Sequence, residues 1–284
     1  MGVSHATIRC LSFFEVGLSL ADCLYLTDGD LYLPTELARG PWDPNSQHGG
    51  APAALMVDRL NKLQPGGRLT RVTIELMRPV PLTPLTLTTS VEKSGRMVQR
   101  TFAELYADGI AVARAEGLHL AATIKDGTAP DETLMRRGPF EVMPGLNEAR
   151  EQRRPTHVKQ TSFSTHAVDI RFVAGRFSEP GPAAAWFRLK VPVVDDEPIH
   201  PWSRVAAAAD FCNGIGSVFD WSKFVFANAD LVLGLSRDVD GAWVGIHAAT
   251  HASADGVAIA EGQVFDEHGC VGIALQSLLI RPRK

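Results

Sequence analysis

Residues 48–77 read HGGAPAALMVDRLNKLQPGGRLTRVTIELM, and their hydrophobic spacing changes partway along. Ala51, Ala54, Leu55 and Leu60 fall mostly on one face of a helix, the pattern of a segment packed against a core. Pro52 lies just inside the start, where a missing N–H costs little, and Gly66-Gly67 closes the run. From Leu69 the period drops to two: Val72, Ile74 and Leu76 alternate with Thr73, Glu75 and Met77. Alternation continues through 85–91, and Ser94-Gly95 and Asp108-Gly109 supply hairpin turns on the way to Lys125. The spacing predicts one helix followed by an antiparallel meander, an α+β unit.

Working outward, 128–160 changes character, with Pro130, Pro139, Pro144 and Pro155 beside Arg136-Arg137 and Arg153-Arg154. It reads as an inter-domain linker. The arginine pairs read as solvated linker charge, or as a contact to a phosphate-bearing ligand. Beyond it the first order returns. Strand-like DIRFV (169–173) and AWFRLKV (185–191) lead to a helical run, RVAAAADFCNGIGSVFDW (204–221), and a meander from Phe224 to Arg281. Laid over each other, the halves put Thr73 on Asn228, Asp108-Gly109 on His268-Gly269, and Glu116 on Gln276. Leu55 or Met56 then falls opposite Asp210. This reads as an internal duplication. Each sheet is expected to wrap its own helix, and the two to join edge to edge, which covers two exposed edges.

The 284 residues suffice for two domains, at roughly 100–200 residues each. A net charge of −4 with no long basic stripe excludes a nucleic-acid surface. Cys10, Cys23, Cys212 and Cys270 lack CxxC spacing, which argues against zinc and a disulfide framework and fits the reducing cytoplasm. The apolar run from Cys10 to Tyr25 is broken by Glu15 and Asp22 and is too short to cross a bilayer, so no membrane partner is expected.

GxSxG, GxGxxG at a strand–helix junction, and a P-loop are all missing, so a serine nucleophile elbow and nucleotide-cofactor chemistry find no support. His247 and His251 sit in a strand-like stretch, where their spacing marks one sheet face and not a helical metal pair. No metal and no cofactor are expected. The sharpest local signal is Trp42-Asp-Pro-Asn-Ser-Gln-His48-Gly49-Gly50. Two glycines at a helix start let a ligand approach unpaired N–H groups, where the helix dipole favours negative charge. The alternative is a tight turn with a packed histidine. Asp210 ends a run of four alanines on a helix that looks buried, so its carboxylate is either paired or put to use; the alternative is a solvated residue near Asn213-Gly214. Gln276 shares a strand face with Ala274 and Leu278, as a functional or a satisfied core amide. Asn228 opens a strand, where a plain turn role is open too. Each half keeps one feature and lacks the other, so the duplication builds one site from complementary contributions.

WDPNSQHGGAPAALMVDRL (42–60), AAAADFCNG (206–214), FANADLVLGL (226–235) and ALQSLLI (274–280) together resemble the acyl-CoA thioesterase family of double hotdog fold. The resemblance begins at about residue 22; residues 1–21 lie outside it and read as an extension. It implies an N-terminal hotdog domain over 22–127, the linker 128–160 and a C-terminal hotdog domain over 161–284, each with a long helix wrapped by an antiparallel sheet. It also implies an acyl-CoA substrate and a homo-oligomer. The family's catalytic trio carries over to Asp210, Asn228 and Gln276, with Asn228 where the well-studied members have Thr or Ser.

The chemistry implied is thioester hydrolysis by water. Asp210 acts as general base, Asn228 and Gln276 fix the water and the carboxylate, and Gly50 with Gly49 meets the oxyanion while His48 orients the turn. A thiol leaving group, with a pKa near ~8.5, needs no strong general acid. Two other readings stay open. Enoyl-CoA hydratases of this fold pair an Asp with a His five residues on, where Ile215 stands here. An acyl-CoA-binding protein without turnover is favoured by Asn228.

Overall fold

A computed structural model describes residues 22–63, 66–123, 143–151, 160–177 and 179–283. Residues 1–21, with Cys10, and most of the expected linker, with both arginine pairs, lie outside the described residues. The first half runs β1 (Tyr25–Asp28), β2 (Leu31–Pro34), α1 (Gly50–Lys62), β3 (Arg68–Leu76), β4 (Leu85–Ser94), β5 (Val98–Ala107) and β6 (Ile110–Leu120). Asp108-Gly109, both at positive φ (50° and 74°), make the tight turn between β5 and β6. The second half runs β7 (Arg150–Glu151), β8 (Val168–Ala174), β9 (Ala183–Leu189), α2 (Pro201–Ala209) and α3 (Cys212–Ile215). It closes with β10 (Phe224–Asn228), β11 (Asp230–Leu235), β12 (Val244–Ala252), β13 (Val257–Asp266) and β14 (Gly269–Pro282).

The strands form one antiparallel sheet, ordered β1-β2-β4-β5-β6-β3-β11-β14-β13-β12-β9-β8-β7, with β10 also on β14. The halves join where β3 meets β11, with Val72 opposite Leu233 and Ile74 opposite Leu231, so the two sheets do meet edge to edge. Residues 50–58 and Leu60 of α1 are buried nearly all round, because the helix lies between its own sheet and α2. Fully burying Leu55, Met56 and Leu60 contributes roughly 1.5–3 kcal/mol each. Within the stretch read as linker, Met143 packs against Trp186 and Phe265. The Pro144 carbonyl beside it accepts from Trp186 Nε1 at 2.9 Å.

The second helical run differs from the expectation over 204–221. It starts earlier, with Pro201 in the first turn and His200 as its cap, and breaks after Ala209 into the single turn of α3. The Asn213 N–H, one of the free donors at the start of that turn, goes to Gln276 Oε1 at 3.0 Å. The turn ends at Ile215, and Gly216 packs on the β12 backbone: a Cβ there would lie 2.9 Å from the Ala248 carbonyl.

Sheet register also corrects the overlay of the halves. Extra residues bulge at Thr70 in β3 and Val112 in β6. Their counterparts are Ala229, between β10 and β11, and Val271 in β14. The helix starts align on His48 and His200, each presenting Nδ1 to an N–H two residues on, at 3.1 and 3.3 Å. Asp210, Asn228 and Gln276 therefore stand opposite Asp58, Leu69 and Gly117, and not opposite Leu55 or Met56, Thr73 and Glu116. A bulge shifts the count by one and leaves little trace in a period-two pattern.

Candidate active site

Three segments far apart in sequence deliver the site. The loop before α1 is pinned by backbone bonds from Gly40 N to Ser46 O (2.8 Å) and from His48 N to Ala38 O (2.9 Å). Buried Gln47 fixes it further, accepting from Tyr25 OH at 2.5 Å and donating to Pro81 O at 2.7 Å. His48 is thereby held at the helix start, sandwiched between Phe163 and Phe211 with centroids 4.8 and 4.6 Å away. The end of α2 supplies Asp210, whose side chain is 4% exposed. The β10–β14 pair supplies Asn228 and Gln276, and the bend between β10 and β11 is fixed by Asp230 Oδ1, which accepts from Ser277 N at 2.6 Å.

These residues converge on the Asp210 carboxylate. Oδ1 accepts from Asn228 Nδ2 at 2.7 Å and from Gln276 Nε2 at 3.4 Å. Oδ2 lies 2.8 Å from His48 Nδ1. Gln276 is fully buried, on one face with Ala274 and Leu278, as the alternation predicts. Three donors on one buried carboxylate satisfy it without a full countercharge.

His48 Nδ1 has two suitors, Asp210 Oδ2 and the Gly50 N–H at 3.1 Å. It cannot serve both. With its hydrogen, Nδ1 donates to the carboxylate; without it, Nδ1 accepts from Gly50 and faces the carboxylate lone pair to lone pair. Against an ionised Asp210 the first arrangement is favoured. The Gly50 N–H is then free at the positive end of the α1 dipole.

The two glycines are close-packed on the side where a side chain would stand. A Cβ on Gly49 would sit 3.0 Å from both Asp210 oxygens, and one on Gly50 would sit 2.9 Å from Phe163 Cε1. The space a side chain would take is filled by the other half of the molecule. Asn213 is the residue that sequence reasoning missed. Besides giving its N–H to Gln276, its Nδ2 donates to Asn228 Oδ1. The available signal was its place three residues after Asp210, the spacing that shares a helix face.

Next to Asn228 the site is aromatic. Phe226, two residues earlier on β10, packs edge-on against Trp42 and Trp221 at 5.3 and 5.6 Å. Cys212, beside Asp210 in the chain, has its thiol pKa pushed well up, first by burial and then by the Asp210 charge, so it is no nucleophile. Among the described residues no group of three or more His, Cys, Asp or Glu could hold a metal ion. Nor is any helix among the described residues long and apolar enough to cross a membrane.

One antiparallel sheet of this order, packed on the helices of both halves, has the layout of a hotdog fold. The solved structure of a hotdog-fold protein from Alicyclobacillus acidocaldarius superposes with a TM-score of 0.69 at 13% identity, covering 95% of this chain and all of that one (100%). An acyl-CoA thioesterase II from Mycobacterium marinum gives 0.61 at 15% identity, covering 93% and 96%. A tesB protein from Mycobacterium avium subs paratuberculosis gives 0.61 at 16%, covering 89% and 93%. At these identities the likeness speaks for the fold. The family comes from the sequence: residues 38–120 match the acyl-CoA thioesterase N-terminal domain, and 143–280 match the acyl-CoA thioesterase C-terminal domain. The chain belongs to the acyl-CoA thioesterase family. No curated protein matches it.

Proposed function

We propose that this chain hydrolyses acyl-CoA thioesters to the free acid and CoA, with Asp210 activating the attacking water. The observation that carries this reading is the convergence of Asn228, Gln276 and His48 on the buried Asp210 carboxylate, at 2.7, 3.4 and 2.8 Å. Asp210 takes a proton from water as its oxygen bonds to the thioester carbon. The carbonyl oxygen gains charge beside the Gly50 N–H, with Gly49 next to it. The C–S bond then breaks, and the departing thiolate recovers the proton from Asp210. Asn228 and Gln276 position the base, and the aromatic group around Trp42 and Phe226 takes the start of the acyl chain.

The reading extends to a tandem pair of hotdog units over 22–127 and 161–284, each with its own helix, and to a cytoplasmic, self-associating protein. Free buried thiols at Cys23 and Cys212 suit a reducing compartment. Self-association is supported by the outer sheet face, where exposed Val257 pairs with Leu279 and Ile273 and Leu275 follow along β14; light scattering tests it.

A binding protein without turnover is the second reading. It is favoured by the crowding of Asp210, whose oxygens already accept from three side chains. The hydratase reading has no such support, since Ile215 is buried and apolar. Thiol release from acyl-CoAs of short to long chain decides: release at any length supports hydrolysis, and tight binding with no release at every length supports the binder.

A further inference from the structure

We propose that Asn213 is a positioning residue for the reaction: it sets which way round the Asn228 and Gln276 amides stand, so that both turn an N–H to Asp210. The role rests on the hydrolysis reading above. An amide is two-ended, with an acceptor oxygen and a donor nitrogen. The wrong way round, it sets its oxygen against a carboxylate lone pair to lone pair. A hydroxyl in the same place swings its one proton freely and needs no such direction. Asn213 is buried and supplies the direction with two donors. Its backbone N–H, free at the start of α3, goes to Gln276 Oε1 at 3.0 Å. Its Nδ2 goes to Asn228 Oδ1. With both oxygens taken up, Gln276 Nε2 and Asn228 Nδ2 face the Asp210 carboxylate at 3.4 and 2.7 Å.

An ionised Asp210 selects the same amide ends unaided. Asn213 matters once the carboxyl holds the proton taken from water, because a protonated carboxyl is itself a donor. An Asn228 amide left unheld then turns over, accepts that hydrogen and keeps it from the departing thiolate. Held through Oδ1 by Asn213, Asn228 offers the carboxyl only N–H, and the proton stays free to leave. The backbone bond to Gln276 survives substitution at 213, so the side-chain bond to Asn228 is the part a variant removes.

Asn213→Leu keeps the size and removes the side-chain donor. It should lower kcat for thiol release about fivefold, with KM unchanged. In an Asn228→Ser background the same substitution should cost less than about twofold, because no amide is left at 228 to direct. A merely structural Asn213 would cost the same in both backgrounds. Equal losses in the two, or no loss in either, overturn the proposal. Should the leucine variant not fold, Asn213→Ala is read in the same way. A measurement without turnover separates this from the hydrolysis reading. In NMR of the free protein, the Asn228 side-chain N–H pair is identified by its absence in Asn228→Ser. Its exchange with water should quicken about fivefold in Asn213→Leu, and unchanged exchange overturns the proposal. Wild type that releases no thiol at any chain length, while that exchange still quickens in the variant, would break the hydrolysis reading and leave the hold of Asn213 on Asn228 standing.

Discussion

The two helix starts share a frame and differ in what faces them. His48 and His200 each hold Nδ1 near an N–H two residues on, and each is followed ten positions later by a buried aspartate, Asp210 belonging to the helix of His200 and Asp58 to that of His48. Asp210 meets an imidazole and two amides. Asp58 meets cations, Lys62 and Arg59, which Glu197 bridges in turn at 2.5 and 2.7 Å. The difference between the halves therefore lies in the partners, brought to Asp210 from across the fold and to Asp58 from its own helix, while the backbone frame is common to both.

The comparison breaks first at the aspartates. Asp210→Asn should lower the thiol-release rate by about 10²–10⁴-fold, read as kcat. Asp58→Asn should leave kcat within a few-fold and cost about 1–3 kcal/mol of stability in urea denaturation, because Lys62 and Arg59 lose a buried partner. Equal kinetic losses in both would erase the distinction.

A smaller loss is expected at the glycines. Gly49→Ala crowds both Asp210 oxygens, so the carboxylate must give by a few tenths of an ångström; since about 1 Å of misplacement costs about a hundredfold, kcat should fall by less than that, roughly a few tens-fold. Pro201→Ala, at the matching position of the other helix, should leave kcat unchanged. Smaller again, Asn228→Leu copies the counterpart Leu69 and removes the 2.7 Å donor to Asp210. A lost bond to a charged group should lower kcat about tenfold.

The smallest effect is on stability against pH. Burial holds His119 and His200 below their ordinary 6.5, so as pH falls the unfolded chain takes the proton first. Stability is then full above about 6.5 and declines as pH drops below it. A second decline follows below about 4.5. There burial raises Glu197, but its bonds to Arg59 and Lys62 outweigh that and hold it low, so the native carboxylate must be protonated. His119→Leu, which copies the counterpart Leu278, should flatten the first decline in thermal melts from pH 7 to 5. An unaltered slope would remove His119 from it.

Much of this was legible in the sequence. The change of period after Gly67 gave the helix and the meander, and a carboxylate at the end of four alanines marked Asp210 as a buried group needing partners. The edge-to-edge join followed from the need to cover strand edges. The break after Ala209 was not legible, because it depends on Gln276, sixty-six residues on, taking up Asp210 and Asn213. Why glycine stands at 49 and 50 was only partly legible: the volume a side chain would need there is taken by Asp210 and Phe163. Asn213 was missed because its partners, Gln276 and Asn228, are long-range; its place three residues after Asp210 was the one local signal.

The most direct test of the account compares wild type with Asp210→Asn in thiol release and in acyl-CoA binding, on one panel of chain lengths. Asp210 as the base predicts release that collapses in the variant while affinity stays within a few-fold. Release that survives in Asp210→Asn at the wild-type rate would contradict it.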